Sequence, residues 1–240
     1  MNVMVRLAMS GARETMMAQA VNTHNLANAS TAGFRADLVK FTDEVVDGSG
    51  ESRLVNAVDF TQGRLQTTGR NLDVALNGKG WIAVQAPDGG EAYSRRGDLR
   101  VDNNGQLTNG AGQPIIGNGG PIAVPPFSEI EIGKDGTISI QPLGQPPNSL
   151  AVVDRIKLVG VNEGLLTKGE DGLIRLPEGV DAVPSGEIEL ISGTLESSNV
   201  NSIETMVRMI DLARRFESQI KMMETSEEND RSMTSVMRIS

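Results

Sequence analysis

The chain of 240 residues contains no cysteine. This excludes a disulfide framework, a thiol nucleophile and a thiolate metal site, while leaving the compartment open. Histidine occurs once, as His24, so a multi-histidine metal site is excluded and any acid–base role rests on one imidazole. Aromatic residues make up only 3% of the chain, so a core must be built from Val, Ile, Leu, Ala and Met. No run of about 18 apolar residues occurs, so the sequence offers no membrane span. Positive charge is also short, with 22 Lys and Arg against 31 Asp and Glu and a net charge of -9. Arg95-Arg96 and Arg214-Arg215 are isolated pairs, and no clustered basic surface is available for nucleic acid or an anionic membrane.

Glycine and proline are missing from one long stretch, Thr194 to Ser240, while 25 of the 27 Gly lie between Gly48 and Gly193 and all ten Pro between Pro87 and Pro184. Loss of these turn residues predicts one long helix, from about Asn199 to Ser235 and roughly 55 Å long at 1.5 Å per residue. Ser197, Ser198 and Asn199 are candidates to cap it. Its apolar residues form two adjoining rows, Ile203, Met206, Val207, Ile210 and Ala213, then Met209, Leu212, Phe216, Ile220 and Met223. So wide a sector needs more than one partner.

A second helix is expected from about Val3 to Asn28. Met4, Ala8, Gly11, Thr15, Ala18, Asn22 and Asn25 recur on one face with a seven-residue period. Small residues at that period predict close packing against a supercoiled partner. The helix runs into Asn25-Leu26-Ala27-Asn28-Ala29-Ser30-Thr31-Ala32-Gly33-Phe34, where Gly33 suits a positive φ and Phe34 offers an anchor after the turn.

Residues 37–70 read as a connector with a flexible Asp47-Gly48-Ser49-Gly50. From Leu72 the period becomes two, with Val74 and Leu76 alternating with Asp73 and Ala75, and short strands then recur between Gly-rich turns as far as Ile191. The expected fold is therefore α+β: long, paired, coiled-coil-like N- and C-terminal helices with an inserted antiparallel β domain. The expected segments are 1–36, 37–70, 71–192 and 193–240.

Nothing in the sequence assembles catalytic equipment. His24 has neither a convergent pocket nor an evident partner. Asp102-Asn103-Asn104-Gly105 lacks the spaced ligands of a calcium loop, and Gly78-Lys79-Gly80 lacks the rest of a phosphate-binding loop. Glu224, Glu227, Glu228 and Asp230 read as a solvated or subunit-contacting face. No catalytic, cofactor or metal residue is expected.

The segment Asn25-Leu26-Ala27-Asn28-Ala29-Ser30-Thr31-Ala32-Gly33-Phe34 resembles the N-terminal signature of flagellar axial proteins, carried here by Asn25, Leu26, Ala27, Asn28, Thr31, Gly33 and Phe34. Three further segments agree with that family: Gln62-Gly63-Arg64-Leu65 through Leu72-Asp73-Val74-Ala75-Leu76 to Gly80-Trp81, Tyr93-Ser94-Arg95 with Asp102 to Leu107, and Gly193-Thr194-Leu195-Glu196-Ser197-Ser198-Asn199-Val200. The chain is thus similar to flagellar rod and hook proteins over nearly its whole length. Ala32 and Trp81 stand where family members commonly carry Pro and Phe. Length and the Ile132-Gly133-Lys134-Asp135-Gly136-Thr137-Ile138 stretch most resemble a proximal-rod member, with a distal-rod or hook-type subunit as the alternative.

The resemblance implies a non-enzymatic subunit of a hollow rod crossing the periplasm, exported by the flagellar type III apparatus without leader cleavage. It implies contacts with copies of itself and with FlgB-, FlgC- and FlgG-type rod subunits, and no cofactor. The implied subunit interface comprises Met4, Ala8, Gly11 and Ala18 on the first helix, and Ile203, Met206, Val207, Ile210, Ala213, Phe216 and Ile220 on the last. A soluble coiled-coil dimer that binds other molecules, and a cell-wall hydrolase, are the competing classes.

Overall fold

The structure, a computed structural model, describes residues 3–42, 53–146, 149–169, 171–177, 179–180 and 182–237. The Asp47–Gly50 run lies outside them. The elements in chain order begin with α1 (Val3–Ala27), β1 (Asp37–Thr42), β2 (Arg53–Val58), β3 (Leu65–Thr67), β4 (Val74–Asn77), β5 (Trp81–Gln85) and β6 (Glu91–Ser94). They continue with β7 (Arg100–Val101), β8 (Leu107–Thr108), β9 (Phe127–Ile132), β10 (Thr137–Pro142), β11 (Ala151–Arg155) and β12 (Leu158–Val159). The last are β13 (Thr167–Lys168), β14 (Ile174–Arg175), β15 (Glu189–Ser192), β16 (Thr194–Glu196) and α2 (Ser202–Met237).

This corrects the expected fold class. Among the described residues sixteen strands stand against two helices, and the strands form six separate small sheets, so the chain is mostly β rather than a pair of long helices carrying one inserted domain. Strands form where connector or helix start was expected, as β1 to β3 and β16. For β3 and β16 the physical reason is length, since each has three residues, too few for a period to show. They are held by backbone pairing to distant partners, such as β16 to β3 with Glu196 opposite Leu65, which no local period announces.

The chain divides into two compact units. One consists of Met1–Ala29, Asp37–Ala57 and Val200–Ser240, the other of Ser30–Ala36 and Val58–Asn199. The second unit holds a five-stranded sheet in the order β12-β5-β6-β14-β13, the three-stranded sheet β11-β10-β9, and the pairs β15-β4, β16-β3 and β7-β8. Strand β5 is buried on both faces. Trp81 and Ala83 join Tyr93, Val159 and Ile174 on one side, while Ile82 and Val84 join Val74, Leu76, Leu99 and Ile138 on the other. The largest fully buried apolar side chains are Leu and Ile with Val74, and none is aromatic, as the scarcity of aromatics requires. Each contributes about 1.5–3 kcal/mol by leaving water.

In the helical unit, α1 buries Ala8, Ala12, Thr15 and Asn22. The Thr15 hydroxyl lies 3.1 Å from Gln219 Oε1, and Asn22 Nδ2 donates to the Thr205 carbonyl at 2.8 Å. The two contacts fall in opposite order along the helices, so α1 and α2 run antiparallel. Of the seven-residue face expected on α1, Ala8, Thr15 and Asn22 are buried and Gly11, Ala18 and Asn25 half-buried, while Met4 is exposed; Thr205 and Ser226 are the buried polar groups of α2, and Gln219 fills the space over Gly11. α2 is capped by Asn201, whose Oδ1 accepts from the amides of Ile203 and Glu204 at 3.1 and 3.4 Å.

Candidate functional site

Residues 30–36, the exit of the signature turn, are held by hydrogen bonds within the β-rich unit. Gly33 has a φ of 66°, and its amide donates to the Glu196 carbonyl at 2.8 Å. A Cβ at Gly33 would stand 2.3 Å from the Arg95 carbonyl, so glycine is required both by conformation and by the approach of a second backbone. Phe34 follows, with the Lys168 ammonium 4.2 Å from its ring centroid, and Lys168 Nζ also donates to the Arg35 carbonyl at 2.9 Å.

The next residue, Arg35, enters a buried charge cluster. Its Nη2 donates to Glu196 Oε1, and Arg95 Nη1 donates to Glu196 Oε2 at 3.0 Å. The Gly63 amide is the third donor to this carboxylate, reaching Oε1 at 3.0 Å, and Arg95 Nη2 donates to the Gly78 carbonyl at 2.7 Å. The Glu196 side chain is 0% exposed and that of Arg35 2%, so this carboxylate is solvated only by protein donors. Gly63 permits the approach, since a Cβ there would lie 1.9 Å from the Ser197 carbonyl oxygen.

Two guanidinium groups share one carboxylate, and among the described residues no acceptor reaches Arg35 Nε, Arg35 Nη1 or Arg95 Nε. The Trp81 ring lies against both cations, 6.0 Å from Arg35 Cζ and 5.4 Å from Arg95 Cζ, and offers its π face. Phe60 braces the ring edge-on at 5.8 Å. Burial holds the Arg95 pKa below the usual arginine range, opposed by Glu196 and assisted by the like charge of Arg35. Trp at position 81 thus has a physical role: its π face suits cations better than that of the commoner Phe. The cluster is structural and offers no open cavity for a substrate.

The residues expected to cap α2 are used within the β-rich unit instead. Asn199 Oδ1 accepts from the Ala36 amide at 2.8 Å, and its Nδ2 donates to the carbonyls of Asp59 and Thr61 at 2.9 and 3.1 Å. Ser197 Oγ accepts from the Arg64 amide.

On the helical side, Asn25 makes a reciprocal pair with the Asp37 backbone, accepting from its amide and donating to its carbonyl, both at 2.8 Å. Asn28 Nδ2 donates to the His24 carbonyl at 3.0 Å, while Leu26 is half-buried and Ala27 exposed. The Thr31 carbonyl accepts from the Phe34 amide. His24, which has no evident partner in the sequence, has one in the fold: its Nδ1 lies 2.7 Å from Asp37 Oδ2. His24 is half-exposed, and this pair joins α1 to the start of β1.

The residues expected at a subunit interface separate into two groups. Ala8 is buried, and Gly11, Ala18, Ala213, Phe216 and Ile220 are half-buried. Ile203 is 76% exposed, Met206 52%, Val207 55% and Ile210 55%, on the face of α2 turned away from Thr205, and Met4 is also exposed. Sequence reasoning missed Arg35, Arg95, Glu196 and Asn201. The available signal for Glu196 was a charged residue at the position where Thr194-Leu195-Glu196 alternation returns to the buried side.

Residues 191–236 match the family model for the flagellar basal body rod FlgEFG protein C-terminal region, and residues 75–140 match that for the flagellar hook protein FlgE/F/G D1 domain. The flagellar basal-body rod protein FlgF of Salmonella typhimurium is 46% identical over 93% of each chain. The Escherichia coli FlgF is 44% identical over 92% of this chain and 93% of its own. A flagellar basal-body rod protein FlgG of Buchnera aphidicola is 33% identical over 87% of this chain and 89% of its own. With such relatives spanning nearly its full length, the chain belongs to the flagellar basal-body rod and hook family and is a structural, FlgF-like rod subunit.

Proposed function

We propose that this rod subunit occupies the proximal part of the rod and stacks through its terminal helices, with copies of itself and with FlgB-, FlgC- and FlgG-type subunits, into a hollow shaft that transmits torque. It reaches that place through the flagellar type III export apparatus without leader cleavage, and the finished rod crosses the periplasm. Its relatives are structural rather than enzymatic, and no helix among the described residues is long and apolar enough to cross a membrane.

The observation that carries this reading is the apolar face formed by Ile203, Met206, Val207 and Ile210, which stays open to solvent on a helix whose other face is already occupied. Such a face stabilises an assembly by being covered, and the covered core of a lasting interface is apolar in this way. Replacing Ile210 with Asp tests it. The substitution is on the surface and changes the stability of the isolated chain by only about 0.5 kcal/mol, while the variant is absent from isolated basal bodies. Normal incorporation contradicts the reading.

A further inference from the structure

Resting on that assembly reading, we infer which face of a second copy covers the open side of α2: the outward stripe of that copy's α1. On α1 the positions Arg6, Met9, Arg13 and Met16, continued by Ala20, Thr23 and Ala27, recur at alternating steps of three and four and are all exposed. On α2 the outward positions are Ile203, Met206 and Ile210, followed by Arg214, Glu217, Lys221 and Glu224, again all exposed. The first stripe is cationic at its beginning and narrow at its end. The second is bulky and apolar at its beginning and carries carboxylates further on.

The two stripes match in height. Gly11 lies beneath Gln219, and the Asn22–Thr205 and Thr15–Gln219 contacts reach to either side of that level, which sets the axial alignment of the antiparallel helices. By that alignment Ala27 is level with Ile203, Ala20 with Ile210, Arg13 with Glu217 and Arg6 with Glu224. A second copy placed alongside in the same orientation and at the same height therefore lays small residues over the bulky apolar ones and Arg over Glu. Met9 and Met16 fall beside Lys221 and Arg214, whose alkyl stems can lie along them. Among the described residues Arg6, Arg13, Glu217 and Glu224 enter no ion pair within the chain, in contrast to Arg208 with Glu204 and Arg231 with Glu227. The contact joins two different faces, so it is heterologous and repeats from copy to copy, giving a ring or an open helical array according to whether the rotation closes. Charge matching of this type selects the partner and its register.

The test uses the absence of native cysteine. Full-length chain carrying both Ala20→Cys and Ile210→Cys is incorporated into basal bodies, which are isolated and oxidised. The two positions face outward from different helices, so a disulfide, which requires Cα atoms within about 7 Å, forms only between copies. A ladder of covalently linked chains is the expected result, with none from either single-Cys variant. Incorporated chain that yields no ladder overturns the inference.

Should the double-Cys chain fail to incorporate, charge reversal decides. Arg13→Glu and Glu217→Arg are each expected to lower incorporation about tenfold, and their combination to restore it to within about twofold. Single variants that assemble normally, or a combination that restores nothing, overturn the second-copy contact; in the latter case the helices meet other rod subunits and the assembly reading survives. Normal incorporation of Ile210→Asp is the separate result that removes the assembly reading itself.

Discussion

In the β-rich unit a charged residue lies at the centre: Glu196 is fully buried, ringed by Arg35, Arg95 and the Gly63 amide, and closed over by Trp81. In the helical unit the buried polar groups are neutral, Thr15, Asn22 and Thr205, and it is the outer surface that carries unburied apolar side chains. The first arrangement supplies its own partners for a group that water can no longer reach. The second leaves its largest favourable term, the covering of Ile203, Met206 and Ile210, to be supplied from outside. Stability and assembly are thereby assigned to different parts of one chain, and each can be disturbed with little effect on the other.

The largest expected effect is at Glu196. Its replacement by Ala leaves two buried guanidinium groups without a counter-ion and costs the β-rich unit about 3–5 kcal/mol. Urea unfolding followed by the fluorescence of Trp81, the only Trp, reads this directly. A cost below about 1 kcal/mol, the level of a surface pair, would show that the cluster does not hold the unit together.

A smaller effect is expected in the helical unit. Asn22→Ala removes the hydrogen bond to the Thr205 carbonyl and costs about 1–2 kcal/mol. Far-ultraviolet circular dichroism should report earlier helix melting, while the Trp81 transition stays in place. A shift of the Trp81 transition by the same amount would mean that the two units unfold as one and would remove the contrast between them.

The smallest effect depends on pH. The Asp171 carboxyl is held below its ordinary range, first by the hydrogen bond from Arg175 and then by the Leu173 amide, against partial burial. A depressed folded-state pKa means that the unfolded chain takes up the proton first. This contribution is therefore complete above the ordinary Asp value of about 3.9 and is lost as pH falls through the depressed one. Asp171→Asn should lower the unfolding free energy of the β-rich unit, read from urea titration near neutrality, by no more than about 1 kcal/mol, and the difference from the unmodified chain should vanish in acid. A difference that persists unchanged at low pH would assign the loss to packing rather than charge.

Much of this contrast was readable before the structure. The disappearance of Gly and Pro after Gly193 marked the long α2, and the period of two from Leu72 marked strands around β4 and β5. The signature turn identified Gly33 as the residue with positive φ. The strands β3 and β16 were not legible because their pairing is long-range: Thr194 meets Thr67, and a period of two cannot show itself in three residues. β1 and β2, six residues each and paired with one another, were not legible because the Gly-Ser run between them reads as a flexible connector. The cluster was hidden for a related reason. Arg35, Arg95 and Glu196 lie far apart in sequence, each resembles an ordinary surface charge, and only the approach of three backbone segments shows that they share one site. The caps failed differently, since Ser197 and Asn199 are suitable helix caps locally, yet the segments around Arg64, Ala36 and Asp59 bind them first.

Amide hydrogen exchange on the full-length chain, alone and in isolated basal bodies, tests the central claim most directly. In the isolated chain the amides of β5, β6 and β10 should exchange only on global unfolding of the β-rich unit, while those of α2 from Ile203 to Ile210 exchange orders of magnitude faster. In basal bodies the α2 amides should become as slow as those of β5. Equal protection of α2 and β5 in the isolated chain, unchanged on incorporation, would contradict the account, because the helical unit would then need nothing from its neighbours.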